Sequence, residues 1–416
     1  MSKPYATVLL PTHDSHATLP HALASGCNQT IENIQILVAC DGATISVLEA
    51  AKSAAAKDSR ITVLDMPKGH NRGGEARAKA LRLAKSDRIF VLQDDDLWFP
   101  NHIELLGAAL DDHDVATNSP LSVRTSGSVA TWTCNYNFPD FRRLALKTGF
   151  KLVFEAHYAF SLKSYYQRKV RWERMEAAGN IKRLLDCHLA DAASRWNSIS
   201  QATALSFKGP IREHIDTLSR ADEIVPWAKR IQSGLTGEDI AATSQWGSML
   251  RYAAHLFPPI KNDTLQSYFE KLGLQIGDSG NAAGLIKLDV TAEQHRHLQL
   301  CYSFLTGGIL DADCCEAVIL DLMEPFAGPN PHCWRVGLSM ERQYGLDQAI
   351  QLVRRMLPSQ NMSQQVLVRG LLTALTFRAR QFESALEQVK LANCESTYYQ
   401  GYFEEIEGKI IEERLR

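Results

Sequence analysis

The first hundred residues alternate between short apolar runs and longer stretches of helical spacing. Ala6 to Leu10, Ile34 to Cys40, Ile61 to Leu64 and Ile89 to Leu92 each read as a strand. Their near-unbroken apolar character is that of strands buried on both faces. Between them, Ala17 to Gly26 carries Leu19 and Leu23 on one side with Gly26 as a stop, and Ile45 to Lys57 is alanine-rich. Glu75 to Lys85 is a basic helix bearing Arg77, Lys79, Arg82 and Lys85. This alternation predicts an α/β fold, a mostly parallel sheet with helices on both faces.

Asp114–Asn118, Glu155–Leu162 and Thr203–Phe207 predict further strands. From about residue 230 strand-like runs vanish, and Ala, Leu, Gln and Glu accumulate at helical spacing between Pro258-Pro259 and Pro329–Pro331. The pattern predicts two domains, an α/β domain over 1–228 and an all-α domain over 229–416. In the second, Ala349 and Ala385 occupy echoing segments 36 residues apart, close to a tetratricopeptide-like period within 333–416. About two such repeats fit, fewer than a solenoid normally needs. A generic helical domain is therefore expected, serving acceptor or partner binding, a homodimer contact, or a lid.

Composition narrows the classes. A chain of 416 residues suits two domains and a large core. Its formal net charge of −2 gives no global electrostatic case for nucleic acid. Nine cysteines, an odd number with no CxxC, suggest neither a disulfide framework nor a zinc site, and a reducing cytoplasm is the simplest compartment. The N-terminal apolar run is too short for a secretory leader, and no run of about 18 apolar residues predicts a transmembrane segment.

The chemistry-bearing residues gather where strands end. The first strand runs into Pro11-Thr12-His13-Asp14, the second into Asp41-Gly42, and the fourth into Asp94-Asp95-Asp96. Parallel strands put all of these on one edge of the sheet, where ligands of open α/β sheets bind. Three adjacent carboxylates repel one another unless a cation or a ligand's hydroxyls share the site, and hard oxygen donors suit Mg²⁺ or Mn²⁺ with substrate phosphates. A solvated acidic turn capping the helix from about Asn101 is the plainer alternative. Asp-Gly is by itself an ordinary tight turn, although Asp41 could also accept from a planar base. The loop Lys68–Gly74 suits an anion, yet it is neither GxGxxG nor a GxxxxGK[ST] loop.

Four motifs in order, Val-Leu-Leu-Pro-Thr, Ile-Leu-Val-Ala-Cys-Asp-Gly, His-Asn-Arg-Gly-Gly-Glu-Ala-Arg and Gln-Asp-Asp-Asp-Leu-Trp-Phe-Pro, resemble the family 2 inverting glycosyltransferases of GT-A fold. The resemblance covers the first 110 residues or so well, and about as many again weakly. It departs at His13-Asp14, where the family often has Tyr-Asn, and at Ala78, where Asn is frequent. It implies a nucleotide-sugar donor, most simply a UDP-sugar, a glycan or other hydroxyl acceptor, and Mn²⁺ or Mg²⁺. Donor contacts are implied for Pro11, Thr12, Asp14, Asp41 and Arg77, with Asp94 and Asp95 near the ribose and diphosphate. Asp96, helped by Asp94, is implied as the metal ligand.

The resemblance also implies a general base about ninety residues on, and Asp186 matches best, with Asp191 in reserve. An inverting transfer needs such a carboxylate opposite the leaving diphosphate. Lys208 to His214 is similar to the family's Arg-x-His loop, so Arg212 or His214 would neutralise the departing diphosphate. The tract Lys163–Arg183 interleaves Tyr165, Tyr166 and Trp172 with Arg168, Arg171 and Arg174, either for sugar stacking or as an ordinary helix with a packed aromatic side. Two other functions fit the same residues: a nucleotidyltransferase, or a non-catalytic GT-A-like scaffold whose helical domain binds a partner.

Overall fold

The computed structural model describes residues 3–69, 73–148, 153–168, 171–172, 188–189, 191, 193–207, 212, 215–277, 284–323, 331–360, 362–395 and 400–415. Among these residues, eleven strands build two sheets: β1 Ala6–Thr12, β2 Ile34–Asp41, β3 Ile61–Met66, β4 Arg88–Val91, β5 Leu97–Trp98, β6 Val115–Thr117, β7 Leu121–Val123, β8 Val129–Thr131, β9 Tyr158–Ser161, β10 Trp196–Ser198 and β11 Ala204–Ser206. The larger sheet has the order β10-β6-β9-β4-β1-β2-β3. It is parallel except for β9, which runs antiparallel to both β4 and β6. The smaller sheet, β5-β11-β7-β8, was foreseen only at β11. Its other members are two or three residues long, too short for a pattern of their own.

Strand pleat divides the core into two. Val8, Leu10, Ile36, Val38, Phe90 and Leu92 face the helices Leu19–Cys27, Ile45–Lys57 and His102–Leu110. The intervening Leu9, Leu37, Ala39, Ile89 and Val91 belong to the opposite core. Alternate side chains of a strand point to opposite faces, so an apolar run without alternation must be covered on both. The outermost β3 shows the converse, with only Ile61 fully buried.

The second core continues without a break through Trp132, Tyr136 and Tyr158 into the C-terminal helices, reaching Leu298, Val336, Val353 and Leu371. The helical region thus packs on one face of the sheet, and the helix Thr217–Gln232 runs across residue 228. Among the described residues after 232, the regular structure is helical except for a parallel pair, β12 Leu274–Ile276 and β13 Ile286–Leu288, which helical spacing concealed. Ala349 and Ala385 are both completely buried, on the helices Leu346–Met356 and Phe382–Glu395. Among the described residues, no helix is long and apolar enough to cross a membrane.

Candidate active site

Register fixes which strand ends meet. Thr12 pairs with Cys40, Asp41 with Met66 and Leu9 with Val91, and the Leu92 N–H donates to the Leu9 carbonyl at 3.0 Å. Pro11, Thr12, Asp41 and the acidic turn after β4 therefore share the carboxyl edge. Asp14 is exposed in the loop beyond β1.

Asp41 is buried and engaged by the loop after β3. Gly69 N–H donates to its Oδ1 at 2.7 Å, and Lys68 Nζ lies 3.3 Å from its Oδ2. Two glycines permit this closure. Gly42 has a left-handed φ of 61°, and a Cβ there would fall 2.6 Å from Lys68 Cβ. Gly73, also left-handed, leaves space between Asp41 and Arg77, where a Cβ would stand 3.2 Å from Arg77 Nη1 and 3.5 Å from Asp41 Oδ2. Arg77, on the helix Gly74–Leu81, pairs with Glu155 at 3.1 Å and lies 5.9 Å from the centre of the Trp172 ring. Glu155 also accepts from Gln93, so a polar chain runs from the Asp41 loop to the acidic turn.

The three aspartates have different surroundings. Asp94 is half-buried, and its carboxyl is pushed up to about 6 by burial and by neighbouring Asp95, against the pull of the Thr12 and Ser15 hydroxyls and of Arg220. Asp95 is ion-paired with Arg220, which comes from the helix Thr217–Gln232. Asp96 is turned inward. Its Oδ1 accepts from Phe207 N–H at 2.8 Å, and its Oδ2 lies 3.3 Å from the Ser206 hydroxyl. That hydroxyl is also 2.7 Å from His157 Nε2, and His157 Nδ1 is 2.9 Å from Asn118 Oδ1. Burial pushes Asp96 well up, Asp95 adds to this, and burial also pushes His157 down to about 3. Asp96 thus ties the acidic turn to β11 through neutral donors.

Other expectations fall elsewhere in the fold. Arg212 is completely buried, paired with Glu223 and donating to the Val123 carbonyl at 3.1 Å, so it is a structural cation beneath the smaller sheet rather than an exposed one. Asp186 and His214 lie outside the described residues. Asp191 pairs with Arg168, which also faces Asp114 at 3.7 Å. Asp114 precedes β6, so this cluster marks the amino edge of the sheet, across from the acidic turn. Tyr165 and Trp172 pack against Phe160 in the core, the plainer of the two expectations for that tract. Glu155 and Arg220 were not foreseen. Both follow the acidic turn, Glu155 62 residues after Gln93 and Arg220 125 residues after Asp95, in no recognisable motif, and only the chain's return brings them to it.

Known proteins resemble parts of this chain. The model of the family "Glycosyl transferase family 2" matches residues 7–173. A chondroitin synthase of Pasteurella multocida is 23% identical over 227 residues, covering 53% of this chain and 23% of that protein. A hyaluronan synthase of Pasteurella multocida is 27% identical over 151 residues, covering 35% of this chain and 15% of that protein. The chain thus spans less than a quarter of the length of either synthase. Among solved structures, residues 1–349 of S. aureus TarS in complex with UDP superpose with a TM-score of 0.41 at 13% identity, over 90% of this chain and 91% of that one. Over residues 7–173, the chain is thus similar to glycosyl transferase family 2.

Proposed function

We propose that this protein transfers a sugar from a nucleoside-diphosphate donor, a UDP-sugar, to a hydroxyl of a glycan acceptor with inversion, in polysaccharide assembly on the cytoplasmic side of a membrane. The observation that carries the reading is the half-buried Asp94 beside Asp95 at the carboxyl edge of a parallel sheet. It is an oxygen-donor site whose like charges raise one carboxyl, and a cation relieves that repulsion. The names of the two synthases support a polysaccharide product.

The donor set fits Mn²⁺ or Mg²⁺. Asp94 and Asp95 would hold the ion, which supplies charge stabilisation to the leaving diphosphate. Asp96, first expected as the main ligand, is assigned a positioning part, because its inward carboxyl is held by Phe207 and Ser206. Arg220 now balances Asp95. On donor binding it would turn to the diphosphate, the part first given to Arg212 or His214. Asp41 and Thr12 line the nucleoside end, Arg77 flanks the diphosphate, and Asp186 would take the acceptor's proton.

Calorimetric titration of UDP, GDP and CDP, with and without Mn²⁺, tests the reading on the wild type and on Asp95→Asn. Cation-dependent binding of UDP that is lost in the variant is the expected result. A folded protein that binds none of the three in the presence of cation overturns it and favours the scaffold. Pyrophosphate release from a nucleoside triphosphate would favour the nucleotidyltransferase.

A further inference from the structure

Far from the acidic edge in sequence, the helix Ala292–Thr306 presents His297 and Cys301 four residues apart, hence on one face. Asp321 reaches the same point from the next helix, Ala312–Met323. His297 Nε2 lies 3.1 Å from Asp321 Oδ2 and 3.6 Å from Cys301 Sγ, and the three ligand-type atoms all fall within 4.8 Å of one another. One ring nitrogen therefore faces both a sulfur and a carboxylate oxygen. It carries at most one proton, so hydrogen bonding from it serves only one of the two.

A single cation serves all three. With metal–nitrogen and metal–oxygen bonds near 2.0 Å and a metal–sulfur bond near 2.3 Å, tetrahedral edges are about 3.3 Å for N···O and about 3.5 Å for N···S. The two separations from His297 Nε2 fit those edges. The surroundings suit a held ligand set. Arg124, at the end of β7, pairs with the other oxygen of Asp321, and Arg251 Nη1 donates to the Asp321 carbonyl at 3.2 Å. Ligating carboxylates are ordinarily fixed by such outer partners. Gly247, opening the helix Gly247–Leu256, leaves the space clear. A Cβ there would fall 1.7 Å from Asp321 Oδ2 and 2.6 Å from His297 Nε2. The His297 side chain is 22% exposed, so solvent reaches the cluster from its side.

We propose that His297, Cys301 and Asp321 form a binding site for a borderline divalent cation of the zinc class, with a water in the fourth position. Binding converts the Cys301 thiol to a thiolate and releases its proton to solvent. Uptake therefore competes with protons and is favoured by higher pH. The ion would join the helices Ala292–Thr306 and Ala312–Met323, and through Arg124 it would fasten both to β7.

Full-length protein purified without chelator and then titrated with Co²⁺ tests this directly. The expected result is one equivalent of cobalt with visible bands of a tetrahedral site and a near-ultraviolet thiolate-to-cobalt band. Zn²⁺ should displace it, and Cys301→Ser should weaken it at least about tenfold. His297→Gln, with folding checked by circular dichroism, should do the same. No charge-transfer band, or a band of full strength in folded Cys301→Ser, overturns the proposal and leaves the cluster a hydrogen-bonded ion pair. The acidic turn offers no sulfur ligand, so the outcome is independent of the transferase reading.

Discussion

Asp96 and Asp321 are almost equally buried, yet they stand in opposite electrostatic states. Burial lifts both. At Asp96 the Phe207 N–H, the Ser206 hydroxyl and the charge of Arg220 oppose it without overcoming it, and Asp95 adds to the rise. At Asp321 the lift is outweighed by the Arg124 guanidinium and by His297, and the carboxyl is held below the usual range. The buried carboxylate of the helical region is neutralised from within the protein, by Arg124 at the end of β7 and by His297. The carboxyl edge of the sheet instead gathers three carboxylates around Arg220, whose ion pair is with Asp95, leaving negative charge for a ligand to neutralise. Stability and binding make opposite demands on buried charge, and these two clusters divide them.

The largest effect is expected at Asp321. Asp321→Ala leaves Arg124 buried without its carboxylate, at a cost of about 3–5 kcal/mol in urea unfolding. Arg124→Met in the same chain should recover part of it, and a double variant no more stable than Asp321→Ala would refute the pairing. At the other cluster, Asp95→Asn should lower cation-dependent nucleotide affinity on the order of a hundredfold by calorimetry, with little change in melting temperature. Arg220→Gln should act in two directions. Cation affinity rises several-fold because the competing guanidinium is gone, whereas turnover with the matching donor falls.

Acid should separate the regions further. Asp94 is raised to about 6, so protons compete with the cation. Nucleotide affinity measured with Mn²⁺ should hold above pH 7 and fall progressively below pH 6. The sign for stability is the reverse: the Asp94 contribution is present at low pH and is lost as pH rises through about 6, in cation-free protein. Asp321 is depressed, so its contribution is constant near neutrality and is lost only in strong acid. The smallest effect is expected for Asp96→Asn, which keeps the shape of the inward side chain and an oxygen that can accept from the Phe207 N–H. Its stability should change by no more than about 1 kcal/mol, with cation binding retained. A hundredfold loss of cation affinity there would restore Asp96 as a ligand.

Much of this was legible in residue order. The apolar runs at Ala6–Leu10, Ile34–Cys40 and Ile89–Leu92 announce buried parallel strands, because only strands covered on both faces lack alternation. Their ends then put Thr12, Asp41 and the aspartates on one edge by topology alone. The smaller sheet and the pair β12–β13 left no such trace, since three-residue strands are set by their partners. The reserve base Asp191 was likewise misjudged by spacing. Its distance along the chain suits a catalytic carboxylate, but β10 runs parallel to β6, and the segment before it starts from the amino edge.

What the sequence determined by itself is the likeness to that family, the strand ends and the residue types gathered there, all of which follow from local periodicity and motif order. Tertiary structure alone decided which aspartate faces outward, that Arg220 meets Asp95, and that Arg124 crosses to Asp321. Asp94, Asp95 and Asp96 are chemically identical in the sequence. Burial, hydrogen-bond donors and charges contributed from more than a hundred residues away give them different states, and those arise only when the chain folds back upon itself.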